Sequence, residues 1–181
     1  MIFASAGHNT LGVKKDPGAV ANGYKEADKT VEFRDLVVSK CRKMGFKVIT
    51  DFDDETLGQY LTRIKTGSGS VVIEFHFDGA STPTATGTTG LIEAEADRLD
   101  RMFAKELTDA TASILGIKNR GVLTENSSHR GSLGLMREEG IICLLELCFL
   151  TNLNDMKSYE KNKFILAEEI ASIIIKYEKL I

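Results

Sequence analysis

Four residues, His8, Glu26, His76 and Glu146, stand where chain patterning gives them little structural reason to be. Glu146 is the sharpest case. It interrupts Ile141-Ile-Cys-Leu-Leu-Glu-Leu-Cys-Phe149, a run otherwise apolar on both faces and so expected as a buried central strand. A carboxylate there must be paired, face a metal or be held protonated, because burying it alone costs several kcal/mol. His76 lies near the end of a run with period-two alternation. Val71, Ile73, Phe75 and Phe77 share one face, and Val72, Glu74, His76 and Asp78 share the other. Glu74 and Asp78 are placed either to hydrogen-bond the imidazole or to be solvated at an edge. His8 follows the β-rich stretch Ile2 to Ala6 directly, in Gly7-His8-Asn9. Glu26 begins an inward-facing stripe that continues through Thr30, Phe33, Val37, Cys41 and Met44. A helix N-terminus tolerates a carboxylate through its dipole, so position alone leaves Glu26 open as an ordinary N-terminal residue.

Two imidazoles and one carboxylate are a ligand set for catalytic zinc, with a fourth position left for water. His8, Glu26 and His76 are too far apart in sequence to match a short zinc motif. What relates them is topology: in open α/β sheets, ligand sites gather outside the carboxyl ends of strands, and His8, His76 and Glu146 all fall there. A cysteine site is disfavoured, since Cys143 and Cys148 have opposite side-chain parity on a regular strand. With Cys41 they read as buried, reduced thiols.

The elements that must position these residues alternate between β-rich runs and segments of helical period. The expected order is a strand over Ile2 to Ala6, a helix from about Glu26 to Met44, a strand over Phe46 to Thr50, a helix over Glu55 to Lys65 and a strand over Ser70 to Phe77. A Thr/Gly/Ala-rich loop follows, Gly79 to Gly90. Leu99, Phe103, Leu107, Ala110 and Ile114 then mark a helix ending near Gly116. Strands are expected near Leu133 to Arg137 and over Ile141 to Phe149, and a last helix from about Lys161 to Lys179. This alternation predicts an α/β fold, a mostly parallel twisted sheet flanked by helices, with residues 1–181 as one domain. The Gly79 to Gly90 and Asn126 to Gly131 loops flank the expected site. His129 and Arg130 in the second read as a solvated pair, with substrate contact as the alternative.

Composition narrows the function. At 181 residues, 43% hydrophobic, 27% charged and net charge −3, the chain is an ordinary globular sequence. Lys and Arg are interleaved with Asp and Glu, so no basic stripe exists for nucleic acid. No apolar run approaches the roughly 20 residues of a membrane span. Met1 to Ala6 lacks a preceding basic segment and His8 follows too soon for a cleavable signal. The expectation is therefore synthesis in the cytoplasm, with any site of action outside it reached through lysis or a separate export system. No Gly-rich phosphate loop opens a helix where a flavodoxin-like nucleotide binder needs one.

The segments Ser5-Ala-Gly-His-Asn9 with Asp16-Pro-Gly-Ala19, Gly23-Tyr-Lys-Glu-Ala-Asp28, Val72-Ile-Glu-Phe-His76 and Leu145-Glu-Leu-Cys-Phe-Leu-Thr-Asn152 resemble, in order and over nearly the whole chain, the zinc-dependent N-acetylmuramoyl-L-alanine amidases of the amidase-3 type. The resemblance implies one zinc held by His8, Glu26 and His76 and a catalytic Glu146. It also implies peptidoglycan as substrate, cut at the amide joining N-acetylmuramic acid to L-alanine, and a compact catalytic domain like those of phage or prophage lysins. Three places depart from the family pattern. Asn9-Thr10 stand where glycines are common, Cys148 where glycine is usual, and Phe77-Asp78 follow His76 in place of a residue and Asn. These bear on pocket shape and stem-peptide preference. A zinc peptidase or carboxypeptidase acting within the stem could use the same ligands. A wall-binding module that kept the fold without the chemistry would lack one of them.

Overall fold

The computed structural model describes residues 1–128 and 131–181, and the expectation for His129 and Arg130 falls outside them. In chain order the elements are β1 (Ile2–Ala6), β2 (Val20–Ala21), β3 (Tyr24–Lys25), α1 (Glu26–Lys43), β4 (Val48–Thr50), α2 (Leu57–Arg63), β5 (Val71–Asp78), β6 (Thr88–Ile92), α3 (Arg98–Leu115), β7 (Asn119–Thr124), β8 (Ile141–Phe149) and α4 (Leu153–Glu178). Short 3-10 turns occupy Glu125–Ser127 and Gly134–Arg137.

Six strands form one sheet in the order β4-β1-β5-β8-β6-β7. The pairs β4-β1, β1-β5, β5-β8 and β6-β7 are parallel, and only β6-β8 is antiparallel. The mostly parallel α/β domain expected from the alternation is the observed one. Strand parity divides the core in two. Ile2 and Ala4, Val71, Ile73, Phe75 and Phe77, and Ile141, Cys143, Leu145 and Leu147 face α1, α3 and α4. Phe3, Val72, Ile142 and Leu144 face a thinner layer made by Tyr60 and Ile64 with Leu133, Leu135 and Met136. No described helix is long and apolar enough to cross a membrane.

The differences from the expected elements have local causes. The segment expected as a strand near Leu133 to Arg137 is a 3-10 turn whose Leu135 and Met136 are buried against the thin face. β6 was hidden by its Thr-Thr-Gly start, yet all five residues are buried, and Gly90 lets Ala104 and Thr108 of α3 come close. β7 is an exposed edge strand whose alternation is broken at Gly121, where φ is +86° and the register to β6 slips. The β2-β3 hairpin turns on Asn22-Gly23, both with positive φ, a signal present in the sequence. α4 begins at Leu153 because the Asn152 side chain accepts from the amides of Asn154 and Asp155.

Candidate metal centre

On the thin face, each central strand turns from apolar to polar as it nears its carboxyl end. Phe3 is followed on that face by Ser5, Val72 by Glu74 and His76, and Leu144 by Glu146. Register aligns them laterally: Ser5 pairs with Glu74 and His76 with Glu146 across parallel strands, while Thr89 faces Glu146 across the antiparallel one.

β1 ends at Ala6, and the chain must then bend to bring His8 over β5. Gly7 permits this, because a Cβ there would stand 2.2–2.6 Å from three atoms of the His76 ring. Its amide donates to Phe75 O at 2.8 Å, and its carbonyl accepts from Thr30 Oγ1 at 2.6 Å. His8 itself adopts φ +66°, a left-handed backbone that non-glycine residues take up only when the surroundings impose it. Asn9 supplies part of that constraint. Its backbone pairs with Asp16 in both directions, and its buried amide donates to the carbonyls of Leu11 and Lys14. At Asn9 the departure from the glycine-rich pattern thus serves to close this loop.

Glu26 is the first residue of α1, where its charge meets the positive end of the helix dipole. Its Oε2 accepts from Ala19 N at 2.8 Å and its Oε1 from Phe77 N at 3.1 Å. Gly18, with φ +64°, leaves the room: a Cβ there would lie 2.5 Å from Glu26 Oε2 and 2.7 Å from the His8 ring. His76 Nδ1 is 2.9 Å and His8 Nε2 3.2 Å from Glu26 Oε1. On the outer side of each ring stands another carboxylate. His76 Nε2 is 2.8 Å from Glu74 Oε1, and His8 Nδ1 is 2.9 Å from Asp16 Oδ2. Ser5 Oγ donates to Glu74 Oε2 at 3.2 Å and so holds that carboxylate in place.

This arrangement fits a cation. A carboxylate offers only acceptors, so a ring nitrogen facing it must carry a proton or share a positive ion with it. Outer carboxylates take the second N–H of each ring in histidine metal sites and aim the free lone pair inward. Tetrahedral zinc with N and O ligands at about 2.0–2.2 Å sets donor atoms about 3.4 Å apart. The observed 2.9 and 3.2 Å lie just inside that spacing, and one donor atom from each of the three residues falls within 4.8 Å of the others. Electrostatics agree. Burial disfavours charge on both imidazoles, but Glu26, joined by Glu74 at His76, outweighs it and raises both pKa values. Burial likewise opposes ionisation of Glu26, and hydrogen bonds from His76 and His8 reverse this and hold its carboxyl well below the usual range. The cluster is tuned to hold positive charge.

Glu146 faces the trio across an open cavity of about 450 Å³ lined by all four residues. It is the one residue of β8 that is not fully buried. Its backbone carbonyl accepts from Thr88 Oγ1 at 2.7 Å, whereas its buried Oε2 has no hydrogen-bond partner among the described residues. Burial pushes its carboxyl up to about 8; His76 pulls the other way, and Asp78 and Glu26 add to the rise. A cavity-lining carboxyl whose pKa is raised toward neutrality and whose Oε2 is unengaged is suited to take and return a proton.

The four residues singled out by pattern therefore converge. Glu74, left between two readings, is buried and tied to His76. Gly79, Ala80 and Ala85 from one expected loop, and Ser127 and Ser128 from the other, line the cavity. Sequence reasoning did not single out Asp16, Gly7 or Gly18, although all three lie in the quoted segments, and it missed Arg120 on the opposite rim altogether. The cysteines of β8 do not keep the opposite parity expected on a regular strand. β8 bulges between the His76–Glu146 and Asp78–Phe149 pairs, so Cys143 and Cys148 both face the thick core. Both remain thiols, buried and pushed up in pKa by that burial, and Cys148 Sγ packs 3.9 Å from Met156 Sδ. The Cys148 departure points away from the cavity.

Comparison with known proteins follows the same lines. The family model for N-acetylmuramoyl-L-alanine amidase (Amidase_3) matches residues 2–176. A Neisseria meningitidis protein assigned as an N-acetylmuramoyl-L-alanine amidase is similar at 28% identity and TM-score 0.77, over 97% of this chain and 94% of that one. An N-acetylmuramoyl-L-alanine amidase from Clostridium difficile 630 matches at 21% identity and TM-score 0.77, over 98% and 96%. The CwlD amidase of Clostridioides difficile, solved with the GerS lipoprotein, matches at 19% and TM-score 0.79, over 99% and 98%. No curated protein sequence matches the chain.

Proposed function

The chain belongs to the N-acetylmuramoyl-L-alanine amidase family, and from that membership we propose that it is a zinc-dependent hydrolase of peptidoglycan, cutting the amide between the lactyl group of N-acetylmuramic acid and the L-alanine of the stem peptide. The observation that carries the zinc assignment is the pair of histidine nitrogens turned toward one carboxylate oxygen, each ring backed by a second carboxylate. His8, Glu26 and His76 would hold the metal, with Glu74 and Asp16 orienting the rings. Zinc in such a site lowers the pKa of a bound water to about 7 and polarises the scissile carbonyl.

The remaining steps belong to the protein. Glu146 takes a proton from the attacking water as its oxygen bonds to the carbonyl carbon. As the C–N bond breaks, Glu146 returns that proton to the departing alanine nitrogen, leaving a free carboxylic acid on the glycan and a free amine on the peptide. General acid–base catalysis of this kind contributes on the order of 10²–10⁴-fold in rate. In this reading residues 1–181 act as one catalytic unit, of the kind phage and prophage lysins carry.

Incubating purified protein with peptidoglycan, with and without a chelator, and weighing the soluble fragments tests the proposal. Intact stem peptides freed from glycan, lost on chelation and restored by zinc, are expected. Fragments trimmed inside the stem would replace the amidase with a peptidase, and activity that survives complete metal removal would dismiss the zinc.

A further inference from the structure

Arg120 is the only lysine or arginine among the described residues lining the cavity, whose other ionisable groups are the acids Glu26, Asp78 and Glu146 and the two histidines. Among the described residues its side chain forms no ion pair and has one polar contact, a long 3.5 Å approach of Nη1 to Thr86 O. An exposed arginine is usually unremarkable, but this one is held in place. Its aliphatic stem lies on the bare backbone of Gly87, where φ is +119° and a Cβ would come 2.8 Å from Arg120 Cγ and 3.1 Å from Cδ. Its guanidinium sits 5.1 Å from the Phe149 ring centroid. Both supports are pinned by one buried carboxylate, Asp155. Its Oδ1 accepts from Thr86 Oγ1 at 2.6 Å, and its Oδ2 accepts from Gly87 N and Phe149 N, each at 3.1 Å. Asn152 adds a bond from its side-chain amide to Ala85 O at 3.0 Å.

A guanidinium fixed by packing on two sides loses little rotamer freedom when it binds and keeps its planar fork of donors for a carboxylate. Away from the proposed metal site, Arg120 is the one lysine or arginine among the described residues lining the cavity that can receive a substrate carboxylate. In the proposed substrate the peptide side of the scissile amide supplies one. The second stem residue is joined through its side chain, which leaves its α-carboxyl free unless it is amidated. Resting on the amidase reading above, we propose that Arg120 forms an anion subsite that binds the free α-carboxylate of the second stem residue and so makes the enzyme discriminate against peptidoglycan amidated at that position.

Two disaccharide-tetrapeptides that differ only in this group, carboxylate in one and carboxamide in the other, provide the test with the zinc-loaded, full-length protein. Wild type is expected to favour the carboxylate about 10-fold or more in kcat/KM, mainly through KM, the scale of one charge-assisted pair. Arg120→Gln should lose that preference by slowing only on the carboxylate substrate, and Arg120→Lys should keep part of it. Equal use of both substrates by wild type, or an Arg120→Gln loss of the same size on both, would overturn the subsite and leave the amidase intact. Cleavage of neither substrate by wild type would overturn the amidase reading, and the subsite with it.

Discussion

The two faces of the central sheet are built from alternate residues of the same strands and do opposite work. On β5, Ile73 and Phe75 point into a core closed by three helices, while Glu74 and His76 point into a thin layer that opens as a cavity. On the central strands β1, β5 and β8 the thick face is apolar. The thin face stays apolar only as far as Phe3, Val72 and Leu144, then carries Glu74, His76 and Glu146, of which Glu146 Oε2 has no hydrogen-bond partner among the described residues. Stability and chemistry are thereby separated by a single residue step, because side-chain direction on a strand reverses at each position. A well-packed face can carry the cost of an electrostatically strained one provided the two share a backbone and not their contacts.

That separation can be broken most completely at the proposed metal site. His8→Asn suits the test because asparagine tolerates the left-handed backbone at this position. Zinc measured on the purified variant should fall from about one per chain toward none and turnover to background, with the circular dichroism spectrum unchanged. Full zinc retention would remove His8 from the ligand set.

Next in size is Glu146→Gln, which keeps the shape of the side chain and cannot accept a proton at neutral pH. Turnover should drop on the order of 10²-fold or more while zinc and peptidoglycan binding persist. If zinc is lost with the fold intact, Glu146 is a ligand; if turnover is unchanged, another group moves the proton.

A neighbouring pair on β5 sharpens the contrast directly. Ile73→Ala should cost about 2–5 kcal/mol in denaturant unfolding and leave zinc affinity alone, since Ile73 is fully buried on the thick face. Glu74→Gln should weaken zinc binding by about 10–100-fold, read by competition with a chelating dye, with a smaller change in unfolding. Swapped outcomes would mean that the faces are not separable.

The smallest effect concerns pH in the chelated protein. The carboxyl of Glu146 is raised from 4.5 to about 8 in the fold, so the stability it contributes is fully present below about 4.5 and is lost as pH rises through about 8. Wild type minus Glu146→Gln should therefore show a decline on the order of 2 kcal/mol across that window, a figure reduced from the full shift because water reaches this residue. A difference that stays flat, or rises, would show that the carboxyl is ionised throughout.

What the sequence determined by itself is what local rules govern. Period-two alternation assigned Glu74 and His76 to the face opposite Ile73, and an unbroken apolar run made Glu146 anomalous before any neighbour was known. Both survive because side-chain direction depends on a residue's own strand. Tertiary structure alone decided the rest. Glu26 was indistinguishable from an ordinary helix-starting glutamate until α1 set its carboxylate between two rings that are distant in sequence. Glu74 could have been solvated at an edge until β1 and β8 enclosed β5 on both sides. Cys148 changed face at a bulge, and Arg120 joined the cavity only because β7 adds to the sheet beside β6, bringing its stem onto Gly87. Register, bulges and strand order arise from packing between segments far apart in the chain, and no periodicity within one segment encodes them.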